Sequence, residues 1–139
     1  MHIEDRLLAI DLLHRYGHCY DEGDLDAMAA CFTEDGVFTI EGAIGSVPSV
    51  MSGRAQILRA MGQRKAATAS AQRRHIITNV ILDEDGDGRI RAACYLLLGS
   101  TEDGTLRLPV TGRYTDLLVR VGDRWLIHDR LLRLDSGIA

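Results

Sequence analysis

The sequence predicts a single α+β domain in which helices come first and an antiparallel sheet follows. Three observations support this fold class. Apolar residues recur at helical spacing in the first half of the chain, strand-like segments occupy the second half, and short turn motifs divide that half into four parts. The length of 139 residues is typical of one domain, which we take to span 1–139.

Two helices are expected at the start of the chain. Residues 3–22 place charged side chains on one side of a helix and apolar side chains on the other. Gly23 is expected to end this helix, because glycine adopts positive φ without a steric penalty. Asp24 then suits the cap of a second helix over 25–32, since its carboxylate can accept from a free backbone N–H.

A short strand and a third helix are expected next. The strand covers 37–40, and the helix opens at 52–54 and runs to about Lys65. Between them, residues 41–52 are interpreted as a loop, because they contain Gly42, Gly45 and Pro48.

The second half of the chain is expected to form an antiparallel meander of four strands, which cover 73–82, 89–98, 105–121 and 124–134. The acidic segment 83–88 imitates half of an EF-hand loop, but the twelfth position of that motif is Cys94 rather than a carboxylate. We therefore interpret it as a hairpin turn. Both faces of 113–121 carry apolar residues, so we expect a homo-oligomer, a dimer or trimer, in which a second copy covers much of one face.

Composition excludes several classes of protein. Sixteen basic and twenty acidic residues give a net charge of -4, which disfavours a nucleic-acid partner. Arg64-Lys65 and Arg73-Arg74 are therefore interpreted as solvated helix and strand ends.

No apolar run approaches the ~20 residues that cross a bilayer, and the N-terminus does not resemble a signal peptide. We expect a cytoplasmic protein with no membrane partner. Three cysteines without C-x-x-C spacing predict free thiols and no metal site, and no motif indicates a cofactor.

One group of residues suggests chemistry. Tyr16, Tyr20 and Asp21 lie at the end of the first helix, and His75 lies near the start of the first long strand. Strand alternation places His75 on one face together with Ile77 and Asn79. A carboxylate partner holds a histidine in one tautomer and makes it a better general base. Spacing alone also permits Asp21 as an ordinary helix-end residue and His75 as an ordinary strand residue.

Longer motifs resemble a known family. Tyr16-x-x-x-Tyr20-Asp21-x-Gly23-Asp24 and the segment 31–36 resemble the opening of SnoaL-like proteins of the nuclear-transport-factor-2-like (NTF2-like) superfamily. The later motifs that agree are Ser52-Gly53-Arg54, Arg74-His75-x-x-x-Asn79, Thr111-Gly112-Arg113-Tyr114 and Arg124-Trp125-x-Ile127. The resemblance implies a cone-shaped α+β barrel with three N-terminal helices on a curved, mostly antiparallel sheet. It also implies a deep apolar pocket and assembly into dimers or trimers.

The resemblance is closest to the scytalone dehydratase-like branch, and it implies roles for four residues. His75 would remove a substrate proton, Asp21 would orient it, and Tyr20 and Tyr16 would donate hydrogen bonds. A second histidine of that branch has no counterpart in the segment 97–100, although His128 could substitute if it faces the pocket. The residues expected to bind substrate are Asn79, Ile77, Phe38, Met61, Leu96, Leu98 and Trp125.

The predicted function is a cofactor-independent lyase, a dehydratase or dehydrohalogenase, that acts on a small apolar cyclic or aromatic substrate. One alternative is an isomerase or cyclase of the ketosteroid-isomerase or polyketide-cyclase kind, which would use the same base and expel no group. Another is a binding module that keeps the pocket without chemistry, because one fold hosts many functions. An epoxide hydrolase fits less well, since its Asp-Arg-Asp arrangement is not evident in the sequence.

Overall fold

A computed structural model describes residues 1–42 and 49–135 and confirms the α+β order. Within these ranges the helices are α1 (Ile3–Glu22), α2 (Leu25–Ala29) and α3 (Arg54–Ala67). The strands are β1 (Phe32–Glu41), β2 (Ser49–Ser52), β3 (Gln72–Asp85), β4 (Arg89–Glu102), β5 (Thr105–Val121) and β6 (Arg124–Leu134).

The strands form one curved sheet with the order β2-β1-β6-β5-β4-β3. Strands β1 and β6 pair in parallel, and all other neighbours are antiparallel. Over the described parts of the chain the sheet is not closed into a full barrel. Helix α1 packs against β3 and β6, and α3 packs against β1 and β2. The core therefore lies between the helices and one face of the sheet.

Helix α1 has the predicted bounds and the predicted buried face. Its buried side chains include Leu13, Tyr16 and Tyr20, and its charged side chains face outward except that of Asp21, which is buried. Gly23 ends the helix with φ 83°, and its N–H donates to main-chain carbonyls of the last turn. The Asp24 carboxylate accepts from the backbone N–H of Ala27 at 3.2 Å, which confirms the predicted cap.

Three predicted bounds in the first half were wrong. Helix α2 ends at Ala29 rather than residue 32, because the chain already pairs with β6 there: the N–H of Ile127 donates to the carbonyl of Cys31 at 2.8 Å. Strand β1 therefore begins at Phe32. Its pairing with β6 shifts register between Phe32 and Val37, and residues 34–36 lie within that shift. Residues 49–52, which were expected in the loop, form β2 against β1. Gly45 and Pro48 lie outside the described residues.

The strands of the second half follow the prediction closely. Strands β5 and β6 have the predicted bounds, whereas β3 and β4 extend a few residues further. The acidic segment forms the β3–β4 turn, where the N–H of Arg89 donates to the carbonyl of Gly86 at 3.0 Å. A bulge interrupts β3 at Asn79, which has φ 54°. The bulge changes which residues face the core, so that Leu82 is buried and Asn79 is exposed.

Burial confirms the prediction that the cysteines are free thiols. Cys19, Cys31 and Cys94 are buried and unpaired. Burial raises the pKa of Cys31 and of Cys94 to about 11, so both remain protonated thiols near neutral pH. In the two described ranges, no helix combines the length and the apolarity that a membrane span requires.

Candidate active site

Asp21 and His75 meet where the end of α1 packs on the start of β3. The Nδ1 atom of His75 lies 2.6 Å from Oδ1 of Asp21, and the backbone N–H of His75 donates to Oδ2 at 2.7 Å. The side chains of His75 and Asp21 are only 8% and 6% exposed. Each carboxylate oxygen has its own donor from His75, which fixes the imidazole relative to the carboxylate.

This contact assigns the tautomer of the neutral His75 ring. An ionised carboxylate only accepts hydrogen bonds, so Nδ1 carries the proton that it donates to Asp21, and Nε2 keeps a lone pair. Among the described residues Nε2 has no hydrogen-bond partner. Because His75 lines a cavity, Nε2 can accept a proton from a bound molecule.

The position of Asp21 is not explained by helix stability. A carboxylate in the last turn of a helix lies near the negative end of the helix dipole, which is unfavourable. Burial adds a further cost to the charged form. The two donors from His75 compensate these costs, while Lys65 donates to the main-chain oxygen of Asp21 at 3.2 Å rather than to its carboxylate. The carboxylate is therefore held by its contacts with His75 and does not cap the helix.

Gly17 allows α1 to approach β3 this closely. A Cβ atom at this position would lie 2.8 Å from Cβ of His75, which is closer than real Cβ atoms approach other carbons. Any side chain at Gly17 would push His75 away from Asp21, which lies one turn further along the helix. The sequence analysis did not identify Gly17, and glycine inside a buried helical face is the signal that could have done so.

A cavity of about 290 Å³ lies beside His75. Its wall includes Tyr20, Met61, Leu96 and Leu98, which the sequence analysis placed at the site. The other residues of the wall are Ile40, Arg64, Ala67, Thr68, Arg73, Val110, Leu132 and Leu134. Most of these side chains are apolar, so a bound molecule would be shielded from water on the sides that they cover.

Tyr20 lies edge-on to His75. We refer to His75 and Asp21 together as the dyad. Its ring centroid is 5.3 Å from that of His75, with an angle of 78° between the planes. Burial raises the pKa of the Tyr20 hydroxyl, and the positive charges of Arg73 and Arg64 oppose part of that rise. The phenol therefore stays protonated near neutral pH and can donate to an oxygen of a bound molecule.

Tyr16 belongs to the core rather than to the wall of the cavity. Its ring is edge-on to His75 at 6.2 Å, and its hydroxyl is enclosed without a hydrogen-bond partner among the described residues. Burial raises the pKa of Tyr16 well above its usual value. In this arrangement Tyr16 supports the His75 ring by packing, and its hydroxyl does not reach the cavity that holds the dyad.

A buried ion pair behind Tyr16 was missed by the sequence analysis. Arg130 on β6 donates to both carboxylate oxygens of Asp116 on β5, at 2.8 and 3.0 Å, and both side chains are fully buried. The guanidinium lies 4.5 Å from the ring centroid of Tyr16 and 3.9 Å from that of Tyr114. Burial alone lowers the pKa of Arg130, but the adjacent Asp116 carboxylate outweighs it and holds this pKa above its usual value.

The remaining predicted site residues lie away from the cavity. Phe38 is buried in the core, where it packs on Tyr16, and Ile77 packs against the core from β3. Asn79 was expected on the same face as His75, but the bulge turns it to solvent. Trp125 donates to Asp5 near the opposite end of α1, about 24 Å from Asp21 along the helix axis.

His128 does not supply a second imidazole to the cavity. Its Nδ1 atom lies 3.0 Å from Oγ1 of Thr33 and 3.7 Å from the Asp35 carboxylate, and its side chain is 40% exposed. Within residues 1–42 and 49–135, no three His, Cys, Asp or Glu side chains converge to hold a metal ion. In the described wall of the cavity, His75 is the one imidazole, and no carboxylate joins it there.

The chain thus combines three helices over a curved sheet with a largely apolar cavity between them. The family model for the SnoaL-like domain matches residues 1–131, and the chain belongs to this family. The neighbours among solved structures include an NTF2-like protein with a cystatin-like fold from Novosphingobium aromaticivorans. It is 25% identical, with a TM-score of 0.84, and the alignment covers 99% of this chain and 86% of that one.

Two further solved structures are similar to this chain. A protein of Catenulispora acidiphila in complex with S-DNPA is 30% identical, with a TM-score of 0.82 and 96% of each chain covered. ActVI-ORFA of Streptomyces coelicolor is 25% identical, with a TM-score of 0.82, 94% of this chain and 96% of that chain covered. None of the curated proteins that were compared matches the chain.

Proposed function

We propose that this chain is a cofactor-independent lyase of the dehydratase or dehydrohalogenase type, acting on a small apolar cyclic or aromatic molecule. The observation that carries the proposal is the buried His75–Asp21 pair beside an apolar cavity. Membership of the SnoaL-like family and a relative solved with a small molecule, S-DNPA, support binding of a small molecule in such a cavity.

In the proposed reaction, Nε2 of His75 removes a proton from a substrate carbon next to an electron-withdrawing group. The electron pair of that C–H bond becomes a new C=C bond, and the group on the neighbouring carbon leaves with its bonding electrons. A departing hydroxide takes a proton from Tyr20 or from the imidazolium, whereas a halide needs none. Asp21 stabilises the imidazolium that forms on His75.

The apolar wall strengthens this chemistry. Excluding water raises the strength of the electrostatic interaction between Asp21 and the imidazolium, because the local dielectric constant is low. Burial raises the pKa of Tyr20, which keeps the phenol protonated but makes it a weaker acid, and the positive charges of Arg73 and Arg64 oppose part of that rise. A well-placed general base of this kind contributes roughly 10²–10⁴-fold to the rate.

An isomerase or cyclase is the second candidate. The wall of the cavity, as far as it is described, offers Tyr20 as a donor but no second imidazole or carboxylate. Elimination of water needs an acid for the leaving group, whereas an isomerase returns the same proton to the substrate from His75. This sparse set of acids favours the isomerase as the alternative to be tested.

The proton-abstraction step can be tested with 1-tetralone in D₂O, followed by mass spectrometry. We expect the protein to accelerate deuterium uptake at the carbon next to the carbonyl. His75→Ala and Asp21→Asn should each slow this exchange by at least roughly 10²-fold, the lower limit for general base catalysis. His18→Ala is the matched control, because His18 is an exposed histidine on the same helix as Asp21.

Exchange by both dyad variants at the wild-type rate would contradict the proposal. With 3-hydroxy-1-tetralone as a second substrate, loss of water from the product mass supports the lyase. Exchange without a change in composition supports the isomerase. A protein that binds either ketone without catalysing exchange would instead be a non-catalytic binding module.

We also infer that the chain forms a homo-oligomer. On the face of the sheet that the helices leave open, Ile76 and Tyr95 are 43% and 54% exposed. Contiguous apolar groups on an outer face are typical of a protein–protein contact.

A further inference from the structure

Two arginines share the cavity with the dyad. Arg64 lies in the last turn of α3, and Arg73 is the second residue of β3. Both line the cavity of about 290 Å³ that His75 lines. The sequence analysis interpreted them as solvated ends of their elements, but both side chains are partly buried.

Neither arginine is neutralised by an ion pair in the described part of the chain. No carboxylate of residues 1–42 and 49–135 lies within 4.0 Å of either guanidinium, whereas the neighbouring Arg74 pairs with Glu22 at 2.5 Å. The Nε atom of Arg73 is fully enclosed and has no acceptor among the described residues. An enclosed donor without an acceptor is costly, and the guanidinium that carries it has no anionic partner among the described residues.

The surrounding charges leave the cavity positive. The described wall contains no Asp or Glu, and the Asp21 carboxylate behind His75 already accepts two hydrogen bonds. Glu102 and Asp103 share a neighbouring groove with Arg73, but they are exposed and form no ion pair with it. The charges of Arg64 and Arg73 both lower the pKa of Tyr20 against the effect of burial. Both arginines therefore act electrostatically on Tyr20, which lies beside His75.

The positive charge of Arg73 lies close to His75, the proposed base. Arg73 and His75 are two residues apart on one strand and face the same side, so their Cα atoms are about 7 Å apart. A carboxylate is planar and accepts two parallel hydrogen bonds from a guanidinium, which fixes its orientation. An anion held at Arg73 would therefore leave an attached apolar ring beside Nε2 of His75 and against Met61, Leu96 and Leu98.

We propose that Arg64 and Arg73 form a carboxylate-binding subsite, and that the substrate is an apolar cyclic molecule bearing a carboxylate group. This inference rests on the proposed function of the same cavity and adds a substrate class to it. The subsite binds the acid, the apolar wall receives the ring, and the dyad acts on a carbon between them.

The test compares 2-naphthoate with 2-naphthamide, which have nearly the same shape and differ in charge. Binding of each is followed by titration with NMR or calorimetry. We expect the wild-type protein to bind naphthoate at least about tenfold more tightly, as charge-assisted hydrogen bonds imply, and this preference to shrink as salt is added. Arg73→Met and Arg64→Met should each weaken naphthoate binding and leave naphthamide binding unchanged.

Two further variants make the result specific. Arg59→Met is the matched control, because Arg59 is exposed on the same helix as Arg64 and does not line the cavity. Arg73→Lys retains a positive charge and should retain part of the preference for naphthoate. Equal affinity of the wild-type protein for the two probes would overturn the subsite. So would a loss of affinity for both probes alike in the arginine variants.

The binding test is independent of catalysis. His75→Ala should keep the preference for naphthoate, since the subsite does not require the base. If the dyad variants exchanged protons at the wild-type rate while the arginine variants lost naphthoate, the lyase proposal would fail and the subsite would stand. If the dyad were essential and the naphthoate preference absent, the lyase would stand and the subsite would fail.

Discussion

Arg130 is the residue whose surroundings depart furthest from its usual preference. A fully buried arginine is rare, and this one is held by a bidentate carboxylate and two aromatic rings. Its Nη1 atom remains enclosed without a hydrogen-bond partner among the described residues, as does the hydroxyl of Tyr16. The free-energy cost of removing water from two charges can exceed the gain from their attraction. A buried ion pair is therefore not by itself evidence of stability.

Breaking the Arg130–Asp116 pair should be much more costly than removing both partners. Arg130→Met leaves a buried carboxylate unpaired, and we expect a loss of about 3–5 kcal/mol in the free energy of unfolding. Adding Asp116→Leu should recover most of that loss, because no buried charge remains. Urea denaturation measures both variants.

Arg133→Met serves as the control for that comparison. The ion pair of Arg133 with Glu41 is partly exposed, with 56% of the arginine side chain accessible, so its loss should cost at most about 1 kcal/mol. A loss from Arg130→Met as small as that from Arg133→Met would contradict the buried ion pair between Arg130 and Asp116.

Two elements determine where the dyad forms. Helix α1 contributes Asp21 from its last turn, and β3 contributes His75 from its first residues. Gly17 brings the two elements into contact, because the space that its side chain would fill is occupied by His75. Further along β3, the bulge at Asn79 turns the strand so that Leu82 reaches the core.

Gly17→Ala should reduce proton exchange by the dyad and destabilise the fold. Alanine in an exposed helix is normally better than glycine by about 1 kcal/mol, but here the added methyl group would meet Cβ of His75 at 2.8 Å. We expect a lower midpoint in thermal unfolding and a slower exchange of 1-tetralone.

Gly62→Ala is the matched control on α3. A methyl group there would lie 3.5 Å from a Leu25 side-chain carbon, which is an ordinary contact, so the substitution should be neutral or stabilising. Equal behaviour of the two alanine variants would contradict the assigned role of Gly17.

At the scale of the whole molecule, the sheet has one covered and one open face. Along β5, Tyr114 and Leu118 are buried under the helices, while Leu117 and Val119 on the other side are half-buried. The apolar character of both faces led to the prediction of a homo-oligomer, and the open face with Ile76 and Tyr95 is the surface we propose for the contact.

A charge on that face should reduce assembly. We expect sedimentation velocity to give a mass above that of one 15.3 kDa chain for the wild-type protein, and Tyr95→Glu to shift it toward the monomer. Leu7→Glu is the control, because Leu7 is 63% exposed on α1, away from the open face, and should leave the mass unchanged. A monomeric wild-type protein would refute the oligomer.

The sequence by itself determined the order of elements and the residues of the dyad. Helical and strand periodicities depend on neighbours along the chain, so α1, β5 and β6 could be predicted with their bounds. Gly23 and Asp24 act on the helix ends next to them, so their roles as the end of α1 and the cap of α2 could also be predicted. Asp21 and His75 were identified from motifs that resemble the SnoaL-like family.

Only the tertiary structure decided the partners that these residues meet. The early start of β1 depends on pairing with β6, nearly a hundred residues later, and the exposure of Asn79 depends on a bulge that no periodicity reveals. The pairing of Arg130 with Asp116 and the convergence of Arg64 and Arg73 on one cavity arise from elements that are distant in sequence. Charge pairing between distant side chains depends on which elements meet, and spacing along a single strand or helix does not encode that choice.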